Sequence, residues 1–350
     1  MTTDWVTDAV TTISADFSMT NGGRIITSLA NTGSPNRQLL ANLLAAAVGQ
    51  RKDTDAAAYL ATVAGESATM PTVTEGTTSG IDPKRPVHIR PNGAPYYSRK
   101  WGDMWDTDVL IKARDTEQYA MLLGPPGTGK TAMAESAFGA DLITTAVTGD
   151  TMVSGLVGGY VPDGRGDYRW ADGPLLTAAK DGRPIFIDEI LLANTTVLSV
   201  LYPAMDGRGF IDVQENPEIG IVHTAPGFYV IGAGNPDVPG AKFSDALKSR
   251  FPLHTWVTTD WNLAKALGVD ATVVEVLEGL ETRARSTTSS ISWAPQMREL
   301  LAFKKAQDTF DRDFAIRNLM RLVPKADLEE VTSIVAPLLG GLSKVIPSKI

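Results

Sequence analysis

From residue 87 onwards, short apolar runs alternate with segments of helical periodicity, and that alternation predicts a parallel α/β sheet. The runs at 119–123, 142–147, 185–187 and 228–233 read as its strands. After Asp260 the strand pattern stops. The stretches 269–284, 296–310, 313–322 and 326–339 carry apolar residues at helical spacing, so a helical region is expected to follow the sheet. Before residue 87 the pattern differs. Residues 39–48 and 56–64 are Ala/Leu-rich helix formers, with the turn between them at Gly49 to Asp53. Residues 67–86 have the Ser/Thr/Gly/Pro composition of a linker. No internal repeat is visible.

Composition narrows the chemistry. The chain has 350 residues, 43% of them hydrophobic and 21% charged, which is ordinary globular composition and excludes collagen-like, coiled-coil and wholly disordered classes. It has no cysteine, which rules out disulfides, thiolate catalysis, iron–sulfur clusters and Cys-ligated zinc. The three histidines, His88, His223 and His254, argue against a multi-histidine metal site. A net charge of -8 repels DNA phosphates on average. The first ten residues carry Asp4 and Asp8 and no basic residue, so a signal-peptide n-region is not seen. The longest apolar stretch, 39–49, is interrupted by Asn42 and is too short to span a bilayer. The expectation is a cytoplasmic protein that does not enter a membrane.

The candidate chemistry starts at Gly124-Pro125-Pro126-Gly127-Thr128-Gly129-Lys130-Thr131, which fits the phosphate-loop pattern G-x-x-x-x-G-K-[ST]. Such a loop turns its backbone N–H groups inward onto phosphate oxygens, and glycines permit the curvature and the close approach. Lys130 supplies a point charge to the β and γ phosphates. The Thr131 hydroxyl can ligate Mg²⁺. A helix over 131–138 would aim its N-terminal dipole at the anion. A second run, Pro184-Ile185-Phe186-Ile187, leads straight into Asp188 and Glu189 without the alternation of a surface strand. Asp188 is expected to hold Mg²⁺ through water, and Glu189 to act as general base on the attacking water.

These motifs resemble those of the AAA+ ATPases. More narrowly, they resemble the MoxR-like branch, the helix-2-insert clade that includes the CbbQ/NorQ-type activases, McrB-type GTPases and the midasin and dynein rings. The resemblance covers roughly residues 87–345 and leaves 1–86 unmatched. It implies a P-loop NTPase core with β-hairpin insertions and a helical lid, assembled as a ring, usually a hexamer, with nucleotide at the subunit interfaces. On it, the chain divides into a helical N-terminal region 1–66 of unknown role, a linker 67–86, a nucleotide-binding α/β domain 87–259 and a lid 260–350.

Residues 170–179 resemble the family's helix leading into the acidic strand, and 158–170, with a turn at Asp163 to Gly166, resemble the helix-2 hairpin. A second hairpin is expected from 210–213 and 220–223. By resemblance Asn235, after the apolar run 228–233, is sensor 1, which orients the water near the γ-phosphate. Ala246-Leu247-Lys248-Ser249-Arg250-Phe251 resembles the segment that bears the arginine finger, which implies that Arg250 reaches a neighbour's γ-phosphate, with Lys248 as the alternative. By the same resemblance Arg298 is expected to be the sensor-2 arginine. Here the chain departs from the family's Ser-x-Arg form, because Ser292-Trp293-Ala294 breaks it and the arginine comes after Pro295. Residues 260–268 resemble the start of the branch's lid.

The leading expectation is a Mg-dependent ATPase that remodels a protein client, in the family often beside a partner with a von Willebrand A domain. Two other classes stay open. One is a McrB-like nucleic-acid motor, which Asp163, Asp167, Glu215 and Glu218 on the hairpins disfavour. The other is a structural ring with little turnover, which the intact Lys130, Asp188 and Glu189 disfavour. No N-K-x-D guanine-reading motif is present, so ATP is expected, with GTP the alternative.

Overall fold

The computed structural model describes residues 82–286 and 289–339. The expected helical region 1–66 lies outside the described residues, as does all but the end of the 67–86 linker.

β1 (Val87–Ile89) and β2 (Pro95–Tyr97) form an antiparallel hairpin, and the two-residue strands β3 (Lys100–Trp101) and β4 (Met104–Trp105) form another. Helix α1 (Asp106–Asp115) leads into β5 (Ala120–Leu123), and α2 (Lys130–Phe138) leads to β6 (Ile143–Ala146). Next come α3 (Val153–Val157), the hairpin of β7 (Gly158–Pro162) and β8 (Tyr168–Asp172), α4 (Pro174–Asp181) and β9 (Pro184–Asp188). Helix α5 (Thr195–Met205) and the hairpin of β10 (Phe210–Val213) and β11 (Gly220–His223) precede β12 (Tyr229–Gly234). Then α6 (Asp245–Arg250) feeds β13 (Leu253–Trp256). The helical end holds α7 (Trp261–Ala266), α8 (Ala271–Ala284), α9 (Met297–Thr309), α10 (Arg312–Met320) and α11 (Leu328–Val335).

Five strands make one sheet in the order β13-β5-β12-β9-β6, every neighbouring pair parallel. The central strands are apolar throughout because helices cover both faces. Met121, Ile185, Ile187 and Val230 point into a core shared with α3, α4 and α5. Their chain neighbours Ala120, Leu122, Phe186, Tyr229 and Ile231 point the other way, onto Leu110 of α1 and Met133 of α2. The edge strands β6 and β13 instead alternate half-buried and exposed positions. That makes β13 hard to read in sequence: it is four residues long, mixed in polarity and preceded by Pro252.

The helical end has its own core, built from Val274 and Leu280 of α8, Leu300 of α9, Ile316 of α10 and Val331 of α11. Caps decide where these helices begin. Asp311 accepts the Phe314 N–H at 2.6 Å, so α10 starts at Arg312. α11 has no such side-chain cap and starts at Leu328 rather than at the expected 326, because the buried Asp327 carboxylate is used elsewhere, accepting from the Ser292 amide (3.0 Å) and hydroxyl (2.9 Å). The end of the expected linker is tied down: Arg85 pairs with Asp260, the cap of α7, at 2.6 Å. Arg85 and Pro86 are half-buried against the folded unit, and residues 82–84 are exposed.

Candidate functional site

The loop after β5 owes its shape to its first glycine. The Gly124 amide donates to Gly234 O of β12 at 3.2 Å, and its φ of +136° is closed to most side chains. A β-carbon there would lie 2.4 Å from Val257 O, just past β13. Gly124→Ala is expected to destabilise the fold by about 1–3 kcal/mol through strain and that collision, read as a lower midpoint of thermal unfolding.

Gly129 precedes α2 in the left-handed region (φ +97°) and offers no side-chain cap. The first amides of α2 are thus left for an anion. Lys130 folds back over the loop, its Nζ donating to Gly124 O (2.8 Å) and Pro125 O (2.9 Å). Burial pushes the Lys130 ammonium below its ordinary pKa and Arg298 adds to that, while Asp188 and Glu189 oppose it. Thr128 is fully buried and its hydroxyl donates to Pro125 O at 3.0 Å, so it shapes the loop. Thr131 lines the cavity beside the loop.

Asp188 ends β9, and its carboxylate accepts the Glu189 amide at 3.1 Å. Glu189 has φ +55°, a left-handed conformation that costs a non-glycine residue about 1–3 kcal/mol and tends to persist where function requires it. The strain turns the chain sharply at the strand end. Both carboxylates line the same cavity as Gly127, Gly129, Lys130 and Thr131. That cavity has a volume of about 710 Å³ and lies off the carboxyl ends of the strands, where open α/β sheets bind ligands.

The remaining expected residues divide. Arg298 lies in the first turn of α9, exposed, with its amide on Gly127 O at 3.0 Å, and it lines the cavity. Asn235 leaves β12 beside the loop, but its side chain accepts the Asp237 amide at 3.1 Å and is not part of the cavity lining. Arg250 is not brought to this cavity in its own chain. It caps the end of α6 beside Tyr119 and Asp206, at the opposite ends of β5 and β13. Its guanidinium stacks 3.9 Å from the Tyr202 ring centroid, donates to Ala246 O at 2.9 Å and lies 3.8 Å from Asp206. Lys248 pairs with Asp245 at 3.6 Å.

Sequence reasoning missed the opposite wall. Pro95, Tyr96 and Tyr97 of the β1–β2 hairpin, Leu263 and Leu267 of the α7 region, and Met297 and Leu301 of α9 give the cavity an apolar side. Arg90 and Arg99 flank it. A three-residue strand carries too little periodicity to be read, although Pro-Tyr-Tyr is a cue for extended chain.

Residues 120–251 match the model of the AAA domain, dynein-related subfamily. The chain is 32% identical to protein NorQ of Paracoccus denitrificans over 158 residues, covering 43% of this chain and 56% of NorQ. It is 31% identical to protein CbbQ of Hydrogenophilus thermoluteolus over 175 residues, covering 47% and 64% of the two chains. Against midasin of Giardia intestinalis it is 33% identical over 136 residues, which is 38% of this chain and 3% of midasin. The matched region thus spans less than two thirds of each of these relatives. It contains the phosphate loop, the acid pair and β12 with Asn235 directly after it, so residues 120–251 carry an AAA domain of the dynein-related subfamily, similar to NorQ and CbbQ, which are MoxR-like AAA+ ATPases.

Proposed function

We propose that this protein hydrolyses ATP with Mg²⁺ and uses the reaction, as a ring of subunits, to remodel a protein client. The observation that supports this reading is the meeting of the 124–131 loop, the 188–189 acid pair and Arg298 on one cavity with an apolar far wall. The polar half suits a polyphosphate. The apolar half, between Tyr96, Leu263 and Met297, suits a planar base held by burial.

The donor set fits Mg²⁺. Thr131 and Asp188 offer hard oxygen ligands, and Mg²⁺ takes its remaining ligands from phosphate and water. When bound, the ion neutralises charge on the phosphates. Lys130 and the amides of the loop and of α2 hold the phosphate oxygens. The Glu189 carboxylate takes the proton of the attacking water, and Asn235 turns from Asp237 to orient that water. Arg250, which faces away from its own cavity, supplies its charge to the neighbour's γ-phosphate.

The β7–β8 hairpin exposes Tyr160 and Tyr168, and the β10–β11 hairpin exposes Ile221, so both present apolar side chains to a client. A partner with a von Willebrand A domain is the client class the MoxR-like kinship suggests. We place the protein in the cytoplasm; among the described residues no helix is long and apolar enough to cross a membrane. Light scattering with and without Mg·ATP, alongside phosphate release, tests the assembly. The expected mass with nucleotide is that of a ring of about six subunits, and a monomer under both conditions at micromolar protein would count against the ring.

A further inference from the structure

Three arginines lie on or beside the β1–β2 hairpin, and two of them are matched by carboxylates. Arg85 pairs with Asp260 at 2.6 Å and Arg90 with Glu135 at 2.6 Å. Arg99 forms no ion pair among the described residues. Its Nη1 donates to Thr258 O at 2.8 Å, its guanidinium carbon lies 5.9 Å from the Tyr96 ring centroid, and its Nε is buried with no hydrogen-bond partner. Its Nη2 stands 2.9 Å from where a β-carbon on Gly129 would be, so the guanidinium occupies the open face of the phosphate loop at the glycine before Lys130. Arg99 lines the same cavity as Gly129, Lys130 and Asp188.

Asp106 lies near enough to feel the Arg99 charge but makes no ion pair with it, so the half-buried guanidinium keeps donors free for an anion. The planar fork suits phosphate oxygens, and the bond to Thr258 O holds one edge of it while another faces the loop. We propose that Arg99 is a nucleotide-phosphate ligand, supplied in cis by the N-terminal hairpin and closing on the polyphosphate from the Gly129 side. The absence of a side chain at Gly129 is what lets it approach. The proposal rests on the reading that a nucleoside triphosphate occupies this cavity.

The test is equilibrium binding of ATP, ADP and adenosine to the full chain and to Arg99→Met, Arg99→Lys and Lys130→Ala. Arg99→Met is expected to weaken ATP and ADP by about 10- to 100-fold, the effect of one charge-assisted hydrogen bond, while leaving adenosine, which lacks phosphate, unchanged. Arg99→Lys keeps the charge but loses the fork, so its affinity for ATP and ADP should fall between wild type and Arg99→Met. Equal weakening of ATP and adenosine would assign Arg99 a purely structural part and overturn the proposal. So would wild-type affinity for ATP and ADP in Arg99→Lys, which also keeps the test open if Arg99→Met does not fold. If Lys130→Ala loses ATP while the Arg99 variants keep it, the site stands and this inference falls. If Lys130→Ala also keeps it, the reading of the cavity falls first.

Discussion

Glu189→Gln is expected to bind ATP and assemble while losing turnover by about 10²- to 10⁴-fold, because the change removes only the carboxylate that takes the water's proton. The amide is nearly isosteric and can keep the turn at the end of β9, where φ is +55°. Lys130→Ala should behave differently. Its Nζ is held within 2.9 Å of two loop carbonyls, in a site where burial already disfavours the cation. Bringing phosphate to that ammonium repays its desolvation, so removing it should weaken nucleotide binding by about 100-fold or more. Nucleotide titration and phosphate release on the two variants separate these outcomes. If both bind nucleotide alike, the division of roles between Lys130 and Glu189 is wrong.

Arg250→Ala is expected to leave ATP affinity nearly intact and to cut hydrolysis by about 10³- to 10⁵-fold, the range for an arginine finger. Within its own chain Arg250 is occupied by Tyr202, Ala246 O and Asp206, and Asp206 is itself held by Arg208 at 2.7 Å. Reaching another subunit's phosphate requires the guanidinium to extend from these contacts. Mixing Arg250→Ala with Glu189→Gln subunits should restore part of the activity, because an intact Glu189 in one subunit then faces an intact Arg250 in its neighbour. An arginine acting in cis cannot give that rescue. Unchanged hydrolysis in Arg250→Ala alone, with no rescue in the mixture, would remove Arg250 from the site and move attention to Lys248.

Several elements escaped the sequence for reasons of length and context. The strands β1 to β4 are two or three residues long, below the span at which period-two alternation can be seen. Helix α5 begins with Thr195, Thr196 and Val197 and contains Pro203, so local propensity argues against it. Its stability comes from Val197, Leu198 and Leu201, which are buried against the sheet core. The hairpins β7–β8 and β10–β11 were legible because a turn, Gly- and Asp-rich at 163–167 and carrying Asn216-Pro217 at 214–219, sits between two extended runs in one contiguous stretch.

The phosphate loop and the acid pair are written in consecutive residues. Three glycines, a lysine and two threonines in one octet impose their own backbone course, and two carboxylates follow an unbroken apolar run. The buried strands were equally plain, because a strand covered on both faces must be apolar at every position. Where the surrounding side chains lie depends on contacts between distant parts of the chain. Nothing near Arg99 in sequence indicates that it will stand over Gly129, and nothing near Arg250 indicates that it will turn away from its own cavity onto Tyr202. Those positions follow from the sheet order β13-β5-β12-β9-β6 and from the packing of the β1–β2 hairpin, α7 and α9 over the strand ends. Local sequence determines which chemistry the chain can offer; the burial of apolar surface from remote segments decided which of those groups share a cavity.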